Sequence, residues 1–156
     1  MYMSELVYDV QNKTYLSGRA LEPGESYVLS SLMQVTDHPS DSAQIVRSLC
    51  SGFVTLQSKL SEWLVSDKAS SDDILIDRDE VDRLVLELKM PSNYNQATVD
   101  SLSNLSHDYL VSRALSDWYL ETNKEYAGDY VQLSGVYLSQ LLEALHKRVR
   151  PSRPVN

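Results

Sequence analysis

The chain has 156 residues, enough for one domain with a substantial core and too few for two comfortable ones. Hydrophobic residues make up 42% and charged residues 23%, a balance that argues against wholesale disorder. A net charge of −8 repels phosphate backbones and anionic bilayers, which disfavours broad nucleic-acid binding and binding to membrane surfaces.

The opening residues, Met1-Tyr2-Met3-Ser4-Glu5-Leu6, lack the basic region and the apolar run of a secretory signal. Residues 4 to 19 fit a helix on the stripe Leu6, Val10 and Tyr15, with Gly18 as its C-cap. A hairpin pairing residues 7–10 with residues 14–16 is the alternative. Glu22-Pro23-Gly24-Glu25 reads as a turn. The short apolar run from Tyr27 to Met33 suits a helix or a strand. Pro39-Ser40-Asp41-Ser42 signals a helix start. The helix that follows has one apolar face, formed by Ile45, Leu49, Phe53, Leu56, Leu60, Trp63 and Leu64. Gly52 lies inside it at a cost of about 1 kcal/mol relative to alanine, which close approach of a neighbouring element would explain.

Residues 66 to 73 form a polar linker. Ile74-Leu75-Ile76 and the run Leu84 to Met90 are the best strand candidates, and together they suggest a small β-hairpin at about 74–90. Within the second run Leu84, Leu86, Leu88 and Met90 share one side, while Val85, Glu87 and Lys89 take the other. A third helix is expected from about Gln96 to Glu121, lined by Val99, Leu102, Leu105, Tyr109, Val111, Leu115 and Trp118. Thr122-Asn123-Lys124-Glu125 has the capping-box pattern that starts a fourth. This helix runs to about Arg148 with Ala127, Val131, Ser134, Leu138, Leu141, Leu142 and Leu145 inward, and its last turn is basic, as the helix dipole favours. The short break between the two predicts an antiparallel helix hairpin.

The chain closes on a basic arm over residues 147–156, in which Pro151 and Pro154 forbid a helix. Lys147, Arg148, Arg150 and Arg153 are four of the 14 basic residues, so without them residues 1–146 carry −12. The expected architecture is mainly α: one antiparallel bundle of helices and helix hairpins over 1–146, a small β-hairpin insertion, and an extended C-terminal arm.

Catalytic chemistry finds little support. The five glycines form no phosphate-binding loop. His38, His107 and His146 are far apart in sequence and share no metal-ligand spacing, and one cysteine excludes a structural zinc site. Cys50 follows Leu49 and precedes Ser51-Gly52-Phe53, as a buried small hydrophobe would. The acidic group Asp72, Asp73, Asp77, Asp79, Glu80 and Asp82 fails the EF-hand pattern, because Val81 and Asp82 occupy the fifth and sixth loop positions from Asp77. No catalytic residue, cofactor or metal is expected. A lone cysteine and the absence of an apolar stretch approaching the roughly 20 residues that span a bilayer lead to the expectation of a soluble cytoplasmic chain.

Interfaces are better supported. Ten tyrosines are many for this length, and Tyr109, Tyr119, Tyr126, Tyr130 and Tyr137 cluster on the last two helices. The candidate interface residues are Tyr126, Tyr130 and Tyr137 with Lys147, Arg148, Arg150 and Arg153 of the arm, where arginine suits an acidic neighbour.

The run Leu84 to Pro91, His107-Asp108-Tyr109-Leu110-Val111, Ala114 to Tyr119, Asn123-Lys124-Glu125 and Arg148-Val149-Arg150-Pro151 together resemble small structural proteins of tailed bacteriophages and prophages of Bacteroides-type bacteria. The similarity is to head–tail connector (adaptor, head-completion) proteins and covers roughly residues 83 to 155. The resemblance implies a helical virion protein, made in the bacterial host cytoplasm, that forms a ring, often of twelve copies, between portal and tail or neck proteins. It implies no specific nucleic-acid binding, although DNA passes through the channel. A non-catalytic adaptor or regulatory protein, binding one cellular partner as a monomer or dimer, is the alternative.

Overall fold

The computed structural model describes residues 1–20, 27–36, 38–65 and 82–149. Five α-helices make up most of the described chain: α1 (Met3–Ala20), α2 (Tyr27–Met33), α3 (Pro39–Lys59), α4 (Val99–Thr122) and α5 (Lys124–Leu145). The mainly helical class read from the sequence is therefore the observed one.

The first helix resolves the ambiguity of residues 4 to 19, with a different buried line. Met3, Leu6, Val10 and Thr14 face inward, whereas Tyr15 is exposed. Gly18 is not a C-cap: α1 continues to Ala20, and Gly18 lies where α2 approaches. A Cβ there would stand 2.7 Å from Gln34 Nε2 and 3.1 Å from the Ser30 carbonyl, so a side chain would require Gln34 to swing aside and α2 to give by a few tenths of an ångström. Ser30 Oγ donates to the Gly18 carbonyl at 2.8 Å, and Val35 N donates to Thr14 Oγ1 at 3.2 Å.

The third helix begins where predicted. His38 is its N-cap, accepting from Ser40 N, and Pro39 takes the first helical position, where a missing N–H costs nothing. Thr36 N and Oγ1 both donate to Asp41, and the hydroxyl bond holds the Asp41 carboxyl below its usual range. The helix stops at Lys59, earlier than the apolar stripe suggests. Leu60 is buried as the C-cap, and Trp63 and Leu64 lie in the turn beyond, only partly buried. Gly52 meets the expected neighbour: a Cβ would sit 3.3 Å from Arg113 Cγ and 3.4 Å from Leu110 Cδ2 on α4. Gly52→Leu overpacks this contact and is expected to cost about 1–3 kcal/mol in urea unfolding, more than improved helix propensity returns.

Residues 82–90 are extended and alternate in burial as their sequence period requires: Leu84, Leu86, Leu88 and Met90 turn inward, and Val85, Glu87 and Lys89 outward. Their described partners are not a hairpin arm. Met3 N donates to Asp82 O, Leu84 N to Met1 O, Val65 N to Glu87 O, and Lys89 N to Trp63 O. The pairing consists of single antiparallel bridges, Tyr2 with Arg83 and Leu64 with Leu88. The candidate strand 74–76, the turn 22–25 and the acidic group up to Glu80 lie outside the described residues.

The fourth helix is the hub, packing against α1, α2, α3 and α5. A helix covered on so many sides cannot show one clean stripe. Buried positions run almost continuously through Tyr109, Leu110, Val111, Ser112, Ala114, Leu115 and Ser116, with Tyr119 a turn later. Val99, expected inside, is exposed, and Leu105 and Trp118 are half-buried. Trp118 Nε1 donates to the Met33 carbonyl at 2.8 Å, satisfying the C-terminal end of α2.

The helix hairpin α4–α5 is antiparallel, as the short break requires. Its cap is Asn123 rather than Thr122: Asn123 Oδ1 accepts from Glu125 N and Tyr126 N, while Thr122 Oγ1 is occupied by the Trp118 carbonyl. Removing such a cap costs about 1 kcal/mol.

Candidate interaction surface

The residue types that carry chemistry are dispersed. His38 caps α3. His107 Nε2 lies 3.3 Å from Asp9 Oδ2, bridging α4 to α1 at the surface. His146 Nδ1 is 2.7 Å from the Leu142 carbonyl, and its ring meets Trp63 edge-on at 5.3 Å. Cys50 is buried in the core. Among the described residues no group of three or more His, Cys, Asp or Glu is arranged to hold a metal ion, and no helix is long and apolar enough to cross a membrane.

The tyrosines expected at an interface divide differently. Tyr126 and Tyr130 close over Tyr119, with ring centroids 5.6 Å apart in both pairs, tilted in the first and stacked in the second. Both are half-buried, as is Tyr137 two turns beyond Tyr130. Each therefore has only part of its surface left for a partner. Burial pushes the Tyr119 phenol up to about 12 and raises Tyr130 and Tyr109 as well. Tyr119 Oη and Ser112 Oγ are buried with no hydrogen-bond partner. Ser17 of α1 stands beside Tyr119 and offsets the shift only in part.

The arm begins on the body of its own chain. The fourth helix of the sequence, α5, stops at Leu145, short of the expected Arg148, with His146 as C-cap. Asn95 N then donates to Lys147 O and Val149 N to Asn93 O, and Tyr94 and Arg148 form an antiparallel bridge. The basic residues still serve the helix end from just beyond it. Arg148 Nη1 donates to the Leu145 carbonyl at 2.8 Å, and Lys147 Nζ pairs with Glu143 at 2.6 Å, holding that carboxyl below its usual range. Both cations are exposed; Arg150 and Arg153 lie outside the described residues.

The outer side of α5 is a nearly uncharged surface that the sequence reading did not select. Helix α5 packs on α4 through Ala127, Ser134, Leu141, Ala144 and Leu145. Its opposite side presents Gly128, Val131, Gln132, Gly135, Val136 and Ser139, all exposed. Val131, expected inward, is 52% exposed, because Tyr130 takes the inward position beside it. From Tyr126 to Leu142 the only charged residue is Asp129. A Cβ on Gly128 or Gly135 would meet nothing within 4 Å, so nothing among the described residues explains these glycines. The signal was present in the sequence, as a nearly uncharged run of 17 residues, but such a run reads as a helix covered all round unless its neighbours are known.

No protein-family model, no curated protein and no solved structure matches the chain.

Proposed function

We propose that this chain is a structural subunit that assembles with copies of itself into a ring, in the manner of the head–tail connectors of tailed bacteriophages. The observation that carries the reading is the outer face of α5: an exposed helix face would ordinarily be charged, yet here Gly128, Val131, Gly135 and Val136 lie open to solvent. A neutral helix face with glycines in register lets a second helix approach closely. The acidic body supports the same reading, since a channel wall of that sign lets DNA pass without binding it. In this reading the region about 74–90 meets the tail side, and the arm 147–156 carries Arg150 and Arg153 to acidic surface on the portal or the next copy. The assembled protein belongs to the virion, formed in the bacterial host.

Size-exclusion chromatography with light scattering, over a wide concentration range and with negative-stain images of any large species, tests this. A closed ring is the expected result. The variant Gly128→Arg/Gly135→Arg is expected to stay monomeric while its helix gains up to about 1 kcal/mol per glycine replaced. A wild-type monomer at every concentration, or a ring that survives both arginines, overturns the proposal.

A further inference from the structure

A closed ring of identical copies needs two different surfaces on each chain, one for the copy ahead and one for the copy behind. The outer face of α5 is the first. Helix α1 carries a second, of a shape that matches it. Leu6, Val10 and Thr14 of α1 are buried, and the far side of the helix presents Ser4, Tyr8, Asn12 and Tyr15, all exposed. Tyr8 is 65% and Tyr15 48% exposed. Seven residues separate them, so two turns of helix set the two rings in one line about 10.5 Å apart. Hollows border this line and leave the rings standing proud. One, of about 880 Å³, lies between Tyr8 and α3, against Val7, Ala43 and Val46. Another, of about 500 Å³, runs past Tyr8 and Tyr15 against Gln34 and Val35.

On α5, Gly128 and Gly135 are likewise seven residues apart, and a Cβ on either would meet nothing within 4 Å. They are two notches at the same spacing of about 10.5 Å. Large side chains of one helix seated in gaps of the facing helix are the ordinary means of close helix packing. Charge sets the direction. Each copy carries −8, so copies meet where acids do not oppose each other. Nothing in the line Ser4, Tyr8, Asn12 and Tyr15 is charged, and Arg19 ends it with its guanidinium 5.7 Å from the centre of the Tyr15 ring. Asp129, the one charge between Tyr126 and Leu142, adjoins Gly128. An antiparallel register, with Tyr15 at Gly128 and Tyr8 at Gly135, brings Arg19 towards Asp129, whereas a parallel one sets Asp9 level with Asp129. We infer that Tyr8 and Tyr15 on α1 of one copy dock, antiparallel, into the notches at Gly135 and Gly128 on α5 of the next. The inference rests on the assembly reading and names the surface that receives its α5 face.

Cross-linking of the full chain with a short bismaleimide tests it, Cys50 being buried and spared by the reagent. Tyr15→Cys/Gly128→Cys in one chain is expected to give a ladder of linked multimers, and each single variant none. A ladder from Tyr8→Cys/Gly128→Cys instead reverses the helix direction and overturns the register. Linked dimers from a single variant mean a face-to-face pairing and overturn the head-to-tail contact. If light scattering shows a ring and no double variant gives a ladder, the α1 surface is wrong and the assembly reading stands. If the wild type shows no assembly at all, both fall. Tyr8→Ala/Tyr15→Ala is expected to raise the concentration for half-assembly by about tenfold or more, with the thermal unfolding of the monomer unchanged because both side chains are exposed. Val54→Ala, 56% exposed on α3 and outside both hollows, is expected to leave assembly as it is. Unchanged assembly in the tyrosine variant, or an equal loss at Val54, overturns the inference.

Discussion

Leu110→Ala is expected to lower the unfolding free energy by about 3–4 kcal/mol, measured by urea denaturation at neutral pH. Leu110 is fully buried in the middle of α4, and its Cδ2 atom packs towards Gly52 of α3. Truncation removes the transfer free energy of the lost methyl groups and leaves a void at the α3–α4 contact. Gly52 has no side chain with which to fill that void, so collapse is limited and the cost lies towards the upper part of the range for such changes. A domain of this size has about 5–15 kcal/mol in total, so the variant sits near the edge of folding. Leu120→Ala, on the same helix but 57% exposed, is the control. It is expected to change stability by less than about 0.5 kcal/mol. Equal losses at both positions would mean that α4 is not the hub of the core.

The second large effect is alkaline. The Tyr119 phenol titrates near 12 in the folded protein, against an ordinary value of 10.0, because burial opposes its ionised form. The folded pKa is raised, so the stability linked to the neutral phenol is fully present below about pH 10. It is shed as pH rises from 10 through 12, by about 3 kcal/mol at completion. Tyr109 and Tyr130 are shifted in the same direction, again by burial, and add to the loss. Tyr119→Phe separates this contribution from lysine deprotonation in the same range. The variant is expected to lose less stability than the wild type between pH 8 and pH 11. It also discards a buried hydroxyl that has no partner, so at neutral pH it is expected to match the wild type or exceed it by up to about 1 kcal/mol. An unchanged alkaline loss in Tyr119→Phe would move the effect to other groups.

Much of the helical organisation was legible because its signals are local. The start of α3 at Pro39, the break before α5 and the inward line Ile45, Leu49, Phe53 and Leu56 all follow from caps and a 3.6-residue period. The period of two in Leu84 to Met90 predicted its inward side chains correctly; the partner expected at 74–76 lies outside the described residues, and the described partners were not anticipated. Those partners are Met1–Met3 and Trp63–Val65, and neither short piece carries a strand signal of its own. The sequence also misjudged α4, because a helix covered by four others buries small polar residues such as Ser106, Ser112 and Ser116 along with its leucines. The tyrosine cluster was visible as composition. Only packing reveals that Tyr126 and Tyr130 are largely spent on Tyr119, leaving the opposite, glycine-bearing face as the open one.

The segment 82–95, extended as far as Met90 and turned at Pro91–Tyr94, bears on the order in which the chain folds. It bonds to residues 1–3, to residues 63–65 and to residues 147–149, so pieces from both ends and the middle of the described chain meet on one ribbon. The Met1 amino group reaches the Leu84 carbonyl across 83 positions of sequence. Closing a loop of that length carries an entropy cost that grows with the logarithm of its size, and a single bridge repays little of it. The helix hairpin α4–α5, by contrast, is built from near neighbours, and local contacts form early. The ribbon is therefore expected to close late, on helices that have already docked, and to be released before them.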